Sequence, residues 1–254
     1  MDLSGRRALV TGGGRGIGRA IALALAGAGA RLALVGRTRG SLDAVAKEIV
    51  GLGAEPPVVA EMDAADPESV GATSQRVLAA LGAVDVLVNN AGIAESAPVA
   101  RTDLAFWARH LAVNATCPFL LTRAVLPGML GRRWGRIVNV GSTASLGGAP
   151  YIAAYAASKH ALLGLTRAIA AETAGTGVTV NAVCPGFVAT DIVWESARRI
   201  AGKTGTSFEN AVARLAAFNP SGRLIAPETV AAAVLELAGG AAGQRSGDAV
   251  VIDG

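Results

Sequence analysis

Seven short runs of β-branched and leucine-rich residues recur along the chain, and alanine-rich stretches with helical spacing lie between them. The runs are 7–11, 31–35, 57–61, 84–89, 136–140, 178–183 and 249–252. Helices are predicted over 16–28, 40–51, 67–81, 103–130, 153–174, 192–217 and 227–238. Strands that are apolar almost throughout must be covered on both faces, and helices between them supply the crossovers that parallel strands need. The expected fold is therefore α/β. It is one doubly wound domain over residues 1–254, with a mostly parallel seven-stranded sheet flanked by helices. No internal repeat, low-complexity tract or linker divides it. The segment 186–225 starts just past a strand end, where open α/β sheets place their ligand crevice. It carries Trp194, Phe208, Phe218 and a Gly-rich break at 202–206, and is expected to act as a substrate lid.

Apolar residues make up 52% of the chain and aromatics only 4%, so a large core must be built from Ala, Val, Leu and Ile. The net charge is +4, yet basic residues cluster no more densely than the pairs Arg6-Arg7, Arg132-Arg133 and Arg198-Arg199. Without a basic run interleaved with aromatics, no nucleic-acid partner is expected. No uninterrupted apolar run approaches membrane-spanning length, and residues 1–7 lack the apolar stretch of a signal peptide, so a cytoplasmic protein without membrane attachment is expected. Cys117, Cys184 and the two histidines show no metal-ligand spacing, and no metal site is expected.

The first run leads directly into Thr11-Gly12-Gly13-Gly14-Arg15-Gly16-Ile17-Gly18 and a helix. At the first strand-to-helix junction, such glycines let the backbone turn tightly and approach a pyrophosphate, while the helix N-terminus offers free N–H groups. The loop residues Gly12, Gly14, Arg15, Gly16, Ile17 and Gly18 are thus candidates for a Rossmann-type dinucleotide site. An NAD-selective site usually has a carboxylate at the tip of the second strand. Here that tip reads Leu34-Val35-Gly36-Arg37. Arg37, with Arg15 pointing at the same spot, suits a ribose 2′-phosphate, so NADP(H) is expected over NAD(H).

Tyr155 and Lys159 stand four apart on a predicted helix and share one face. A phenol is a poor acid–base catalyst near neutral pH unless its anion is stabilised, and a neighbouring ammonium is expected to lower its pKa. Ser142 follows the strand ending at Val140, from where its hydroxyl could hold a substrate oxygen against Tyr155. Asn114 lies in the long predicted helix, four residues before Pro118. Because Pro118 has no N–H, the Asn114 carbonyl is expected to lack its usual helical partner and to stay open as an acceptor.

With these pieces in order, the chain resembles the short-chain dehydrogenase/reductase family of the simple, non-extended type over essentially its whole length. The matching residues are the 11–18 loop, Asp63, the Asn-Asn-Ala-Gly at 89–92, Asn114, Ser142, Tyr155 with Lys159, Pro185-Gly186 and Thr190. The resemblance implies hydride transfer between a nicotinamide and a carbonyl carbon, and commonly a homotetramer. It implies that Tyr155 donates the proton and that Ser142 positions the substrate oxygen. Lys159 lowers the tyrosine pKa and binds the nicotinamide ribose, and Asn114 holds a water in a proton relay. It further implies that Asp63 lies near the adenine, that Asn90, Ala91 and Gly92 line the cofactor, and that Pro185, Gly186, Val188 and Thr190 approach the nicotinamide end.

Within the family the chain is most similar to 3-oxoacyl-(acyl-carrier-protein) reductases and related polyketide ketoreductases. Ile93-Ala94-Glu95-Ser96 replaces the Gly-rich extension of the polyketide enzymes and argues against a polycyclic substrate. The mostly apolar candidates for the substrate pocket are Ala94, Glu95, Leu146, Tyr151, Ile152, Phe187 and Trp194. They favour a hydrophobic ketone or an acyl thioester as the small-molecule partner. The same residues would serve oxidation of a secondary or cyclic alcohol. A non-catalytic NADP(H)-binding sensor or scaffold is the alternative from another class, which the intact Tyr155 and Lys159 disfavour.

Overall fold

A computed structural model describes residues 1–240 and 245–254. The strands are β1 (Arg7–Thr11), β2 (Arg31–Gly36), β3 (Val58–Glu61), β4 (Val86–Asn89), β5 (Gly135–Val140), β6 (Val178–Pro185) and β7 (Ala249–Ile252). The helices are α1 (Gly16–Gly27), α2 (Arg39–Gly51), α3 (Pro67–Leu81), α4 (Leu104–Leu111) and α5 (Cys117–Gly131), followed by α6 (Ala153–Glu172), α7 (Asp191–Thr204), α8 (Phe208–Ala216) and α9 (Pro227–Ala238). All seven strands pair in parallel in the order β3-β2-β1-β4-β5-β6-β7, so the sheet is wholly rather than mostly parallel.

Strand pleating sorts the core into two layers. Val10, Val88 and Val138 face one side with Ile21 and Leu25 of α1 and Val230 and Val234 of α9. Leu9, Leu87 and Ile137 face the other with Val77 of α3 and Leu121 and Val125 of α5. All thirteen side chains are essentially inaccessible to water, and removing one of the larger ones would cost about 2–5 kcal/mol. Among the described residues no helix is long and apolar enough to cross a membrane.

Two helices expected as single pieces are interrupted. The 103–130 helix divides into α4, a wider turn over Ala112–Thr116, and α5, with Cys117 N–H reaching back five residues to the carbonyl of Ala112. The widening lies just before Pro118, which cannot donate to the carbonyl four residues back. The 192–217 helix divides into α7 and α8 at Gly205, whose φ of +69° closes α7 in the left-handed conformation. Ser207 then starts α8 by accepting the Asn210 N–H at 3.1 Å.

Candidate active site

The chain moves outward from β1 to β2 and β3 and then returns to β4, so the strand order reverses between β1 and β4. A cleft of about 1240 Å³ opens there, at the carboxyl ends of the strands, where a doubly wound sheet binds its ligand. Gly12 turns the chain out of β1 with φ +65°, and a Cβ on it would stand 2.8 Å from Asn90 Nδ2. A Cβ on Gly18 would stand 2.1 Å from the Gly12 carbonyl oxygen, so only glycine lets α1 start this close to the turn. Arg15 occupies the N-cap of α1 without a side-chain cap, and the first turn carries no acid. The orphan N–H groups of that turn therefore face the cleft beside Gly14, Gly16 and Ile17, a site chemically suited to a pyrophosphate.

A buried polar lattice fixes the adjoining edge. Thr11 Oγ1 accepts from Asn90 N–H at 3.0 Å and Ala91 N–H at 2.9 Å, and Asn90 Nδ2 donates to the Thr11 carbonyl at 2.8 Å. Ala91 and Gly92 are thereby held along the cleft wall. Asn114, fully buried in the widened turn, accepts the Ile93 N–H at 2.9 Å on Oδ1. Its Nδ2 donates to the Ile93 carbonyl at 3.0 Å and to Ser158 Oγ at 2.9 Å. Ser158 in turn donates to the carbonyl of Tyr155 at 2.7 Å. One amide thus ties the 89–93 segment to the helix that carries Tyr155 and Lys159.

Ser142, Tyr155 and Lys159 meet at the floor of the cleft. The Ser142 hydroxyl accepts the Ala144 N–H at 3.1 Å while Ser145 Oγ accepts the Ser142 N–H at 3.2 Å, which orients Ser142 at the tip of β5. Lys159 Nζ lies 6.0 Å from the Tyr155 ring centroid and donates to the Val140 carbonyl at 2.8 Å. Burial pushes the Tyr155 phenol above its ordinary value, partly offset by its hydrogen bond with Ser142. Burial pulls Lys159 down to about 8. The phenol thus lies above its ordinary value, against the expectation from the neighbouring lysine, because withdrawing both groups from water disfavours phenolate and ammonium alike. Cys184 lies beside the pair with its thiol also pushed up by burial, a poor nucleophile.

The remaining anticipated positions divide. Pro185, Gly186, Val188 and Thr190 line the cleft after β6, with Thr190 as the N-cap of α7. Asp63 borders it at the β3 end, accepting the Ala65 N–H at 2.9 Å. Arg37 follows β2 exposed and lines the cleft. Arg15 lines it too, but its guanidinium reaches Asp191 on α7 at 3.4 Å and Glu195 at 4.0 Å, because the first turns of α7 set two carboxylates opposite the loop. Ala94, Glu95, Tyr151, Ile152 and Phe187, the candidates for a substrate pocket, line the cleft. Leu146 and Trp194 do not. Leu146 ends the short turn after Ser142, half exposed, and Trp194 lies on the α8 side of α7 with its ring 6.3 Å from that of Phe208.

Several residues emerge only in three dimensions. His110 is fully buried, with Nε2 accepting the Glu95 N–H at 3.3 Å and Nδ1 facing the Phe106 carbonyl at 2.9 Å, so the ring supports the loop that carries Glu95. Asn219 clamps Phe187 through its N–H and its carbonyl, each at 2.9 Å. Ser158 had a legible signal, a small polar residue three after Tyr155, whereas His110 and Asn219 lie far from what they hold.

A family model described as short chain dehydrogenase matches residues 6–201. The chain is 40% identical to D-beta-hydroxybutyrate dehydrogenase of Cupriavidus necator over 257 residues, covering 99% of this chain and 98% of the relative. It is 36% identical to 3-oxoacyl-(acyl-carrier-protein) reductase of Aquifex aeolicus over 254 residues, covering 100% and 98%. Among solved structures, a variant of actinorhodin polyketide ketoreductase with NADPH superposes with a TM-score of 0.93 at 36% identity, covering 100% of this chain and 98% of that one. The chain belongs to the short-chain dehydrogenase family, NAD(P)-dependent oxidoreductases acting between CH–OH and C=O.

Proposed function

We propose that this protein reduces a hydrophobic ketone or 3-oxoacyl thioester to a secondary alcohol with NADPH, Tyr155 acting as the proton donor. The observation that carries the reading is the convergence of Ser142, Tyr155 and Lys159 at the cleft floor, next to a glycine loop and helix N-terminus suited to a dinucleotide.

Bound NADPH supplies the hydride to the carbonyl carbon. Ser142 holds the carbonyl oxygen by a hydrogen bond and aims it at Tyr155. As the carbon–oxygen π pair collapses onto oxygen, the Tyr155 O–H proton passes to it. The phenol is protonated at neutral pH and so carries the proton that reduction requires. Lys159, still mostly ammonium at pH 7 with its pKa near 8, stabilises the phenolate left behind. Asn114 keeps the 89–93 segment and α6 in register, and α7 with α8 form a lid over the substrate end.

Arg37, exposed just after β2, whose own last residues include no acid, supports NADP(H) over NAD(H). A cytoplasmic homotetramer belongs to the same reading. Exposed Leu104, Trp107, Phe119 and Leu130 along α4 and α5 give subunits apolar surface to bury, and Cys117 and Cys184 are both unpaired.

The test is NADPH oxidation against a panel of acetoacetyl thioesters, cyclic ketones, aryl ketones and quinones. Tyr155→Phe should lower turnover by about 10²–10⁴-fold while NADPH binding persists. Equal or better turnover with NADH would sink the cofactor assignment, and full activity of the Phe variant would sink the proton-donor role.

A further inference from the structure

We propose that Arg199 binds the anionic end of the substrate, so that the ketones this cleft takes best carry a carboxylate, sulfonate or phosphate remote from the carbonyl. The proposal rests on the ketone-reductase reading and names the substrate class for that site.

The periodicity of α7 sets the geometry. Ile192, Ser196 and Arg199 recur at the spacing of one helical face, and all three line the cleft. Val193 and Ala197 are buried in the cluster shared with α8. Two adjacent arginines are thereby sorted. Arg198 lies with its guanidinium carbon 5.9 Å from the Phe208 ring centroid, while Arg199 is exposed at the cleft.

Among the described residues Arg199 makes no ion pair, although acids are near it in sequence and in the cleft. Glu195 stands four residues earlier, the spacing of a helical ion pair, but lies 4.0 Å from Arg15 instead. Glu95 is held by Arg109. Asp253 lines the cleft as well and forms no ion pair with Arg199. The same cleft carries aromatic surface open to solvent: Phe218 is 72% exposed and stacks on Phe187 at 5.5 Å, and Tyr151 is 64% exposed. Open aromatic surface in the same cleft as an unpaired guanidinium on α7 suits an apolar body with a single anionic group. A guanidinium grips such a group by charge-assisted, bidentate hydrogen bonds, which strengthen as the occupant excludes water.

The experiment compares ketones of graded length bearing a terminal carboxylate with their neutral methyl esters, using NADPH and the full-length protein. For at least one length the wild type should favour the acid in kcat/KM. Arg199→Gln should lower kcat/KM for that acid about tenfold through KM, which corresponds to about 1.4 kcal/mol, with the ester unchanged within twofold. Arg199→Glu should lower it further. Unchanged NADPH affinity and melting temperature show that each variant is folded. If acids and esters respond alike to Arg199→Gln, or if esters are better at every length, the proposal is overturned while the reductase reading stands. If no ketone of either series oxidises NADPH, the reductase reading fails and the proposal with it.

Discussion

Replacing Lys159 with Met should change how the stability of the protein depends on pH. Lys159 is 5% exposed, and burial lowers its pKa from 10.5 to about 8. In the unfolded chain the amine titrates at its ordinary value, so as pH falls from 10.5 to 8 the unfolded state takes up a proton that the folded state still refuses. Stability is therefore lost over that window and is level below it. At 1.36 kcal/mol per unit, the shift penalises the folded state by about 3 kcal/mol at pH 7, and the penalty shrinks by about 2 kcal/mol at pH 9.5. Met carries no charge and escapes this term. Urea unfolding of wild type and Lys159→Met, without cofactor, at pH 7 and pH 9.5 gives the difference directly. Relative to the Met variant, wild type should gain about 2 kcal/mol on going to the higher pH. Staying below pH 10 avoids the Tyr155 phenol, whose raised pKa acts oppositely: folding then favours the protonated phenol, and stability falls once the unfolded tyrosine ionises. A stability difference that does not move with pH would refute the idea that Lys159 is held against its charge.

The same lysine predicts that kcat/KM for ketone reduction falls above pH about 8 as its ammonium form is lost, measurable in a pH–rate profile. Ser158→Ala removes the acceptor for Asn114 Nδ2 and the donor to the Tyr155 carbonyl. It should cost about 1–3 kcal/mol in denaturant unfolding and lower kcat more than it raises KM. In Gly18→Ala the new Cβ meets the Gly12 carbonyl at 2.1 Å, so fluorescence titration should show NADPH affinity reduced at least tenfold.

Periodicity alone carries the sheet. Apolar runs such as those containing Leu9 and Val10 require cover on both faces, and the structure supplies it with α1 and α9 on one side and α3 and α5 on the other. The glycine loop was equally legible, because Gly12 and Gly18 occupy backbone positions that exclude a Cβ. Tyr155 and Lys159 could be paired because helical spacing is a local rule. Helix interruptions were less accessible: Pro118 and Gly205 are visible in the chain, but whether each kinks, widens or ends a helix depends on what packs around it.

Electrostatics belonged to the tertiary structure. Residue types suggested that an ammonium four residues from a phenol would acidify it, whereas burial, which no spacing reports, raises Tyr155 and lowers Lys159. The same holds for contacts between distant segments: His110 under Glu95, Asn219 on Phe187, and Arg15 turned to Asp191. Sequence by itself determined the sheet, the glycine-rich loop and the candidate trio of Ser142, Tyr155 and Lys159, because turns, periodicity and helical faces are set over a few residues. Which side chains share the cleft and which charges are shielded there was decided only when the strands brought residues 12, 90, 142 and 199 to one edge, since burial and pairing are properties of the assembled chain.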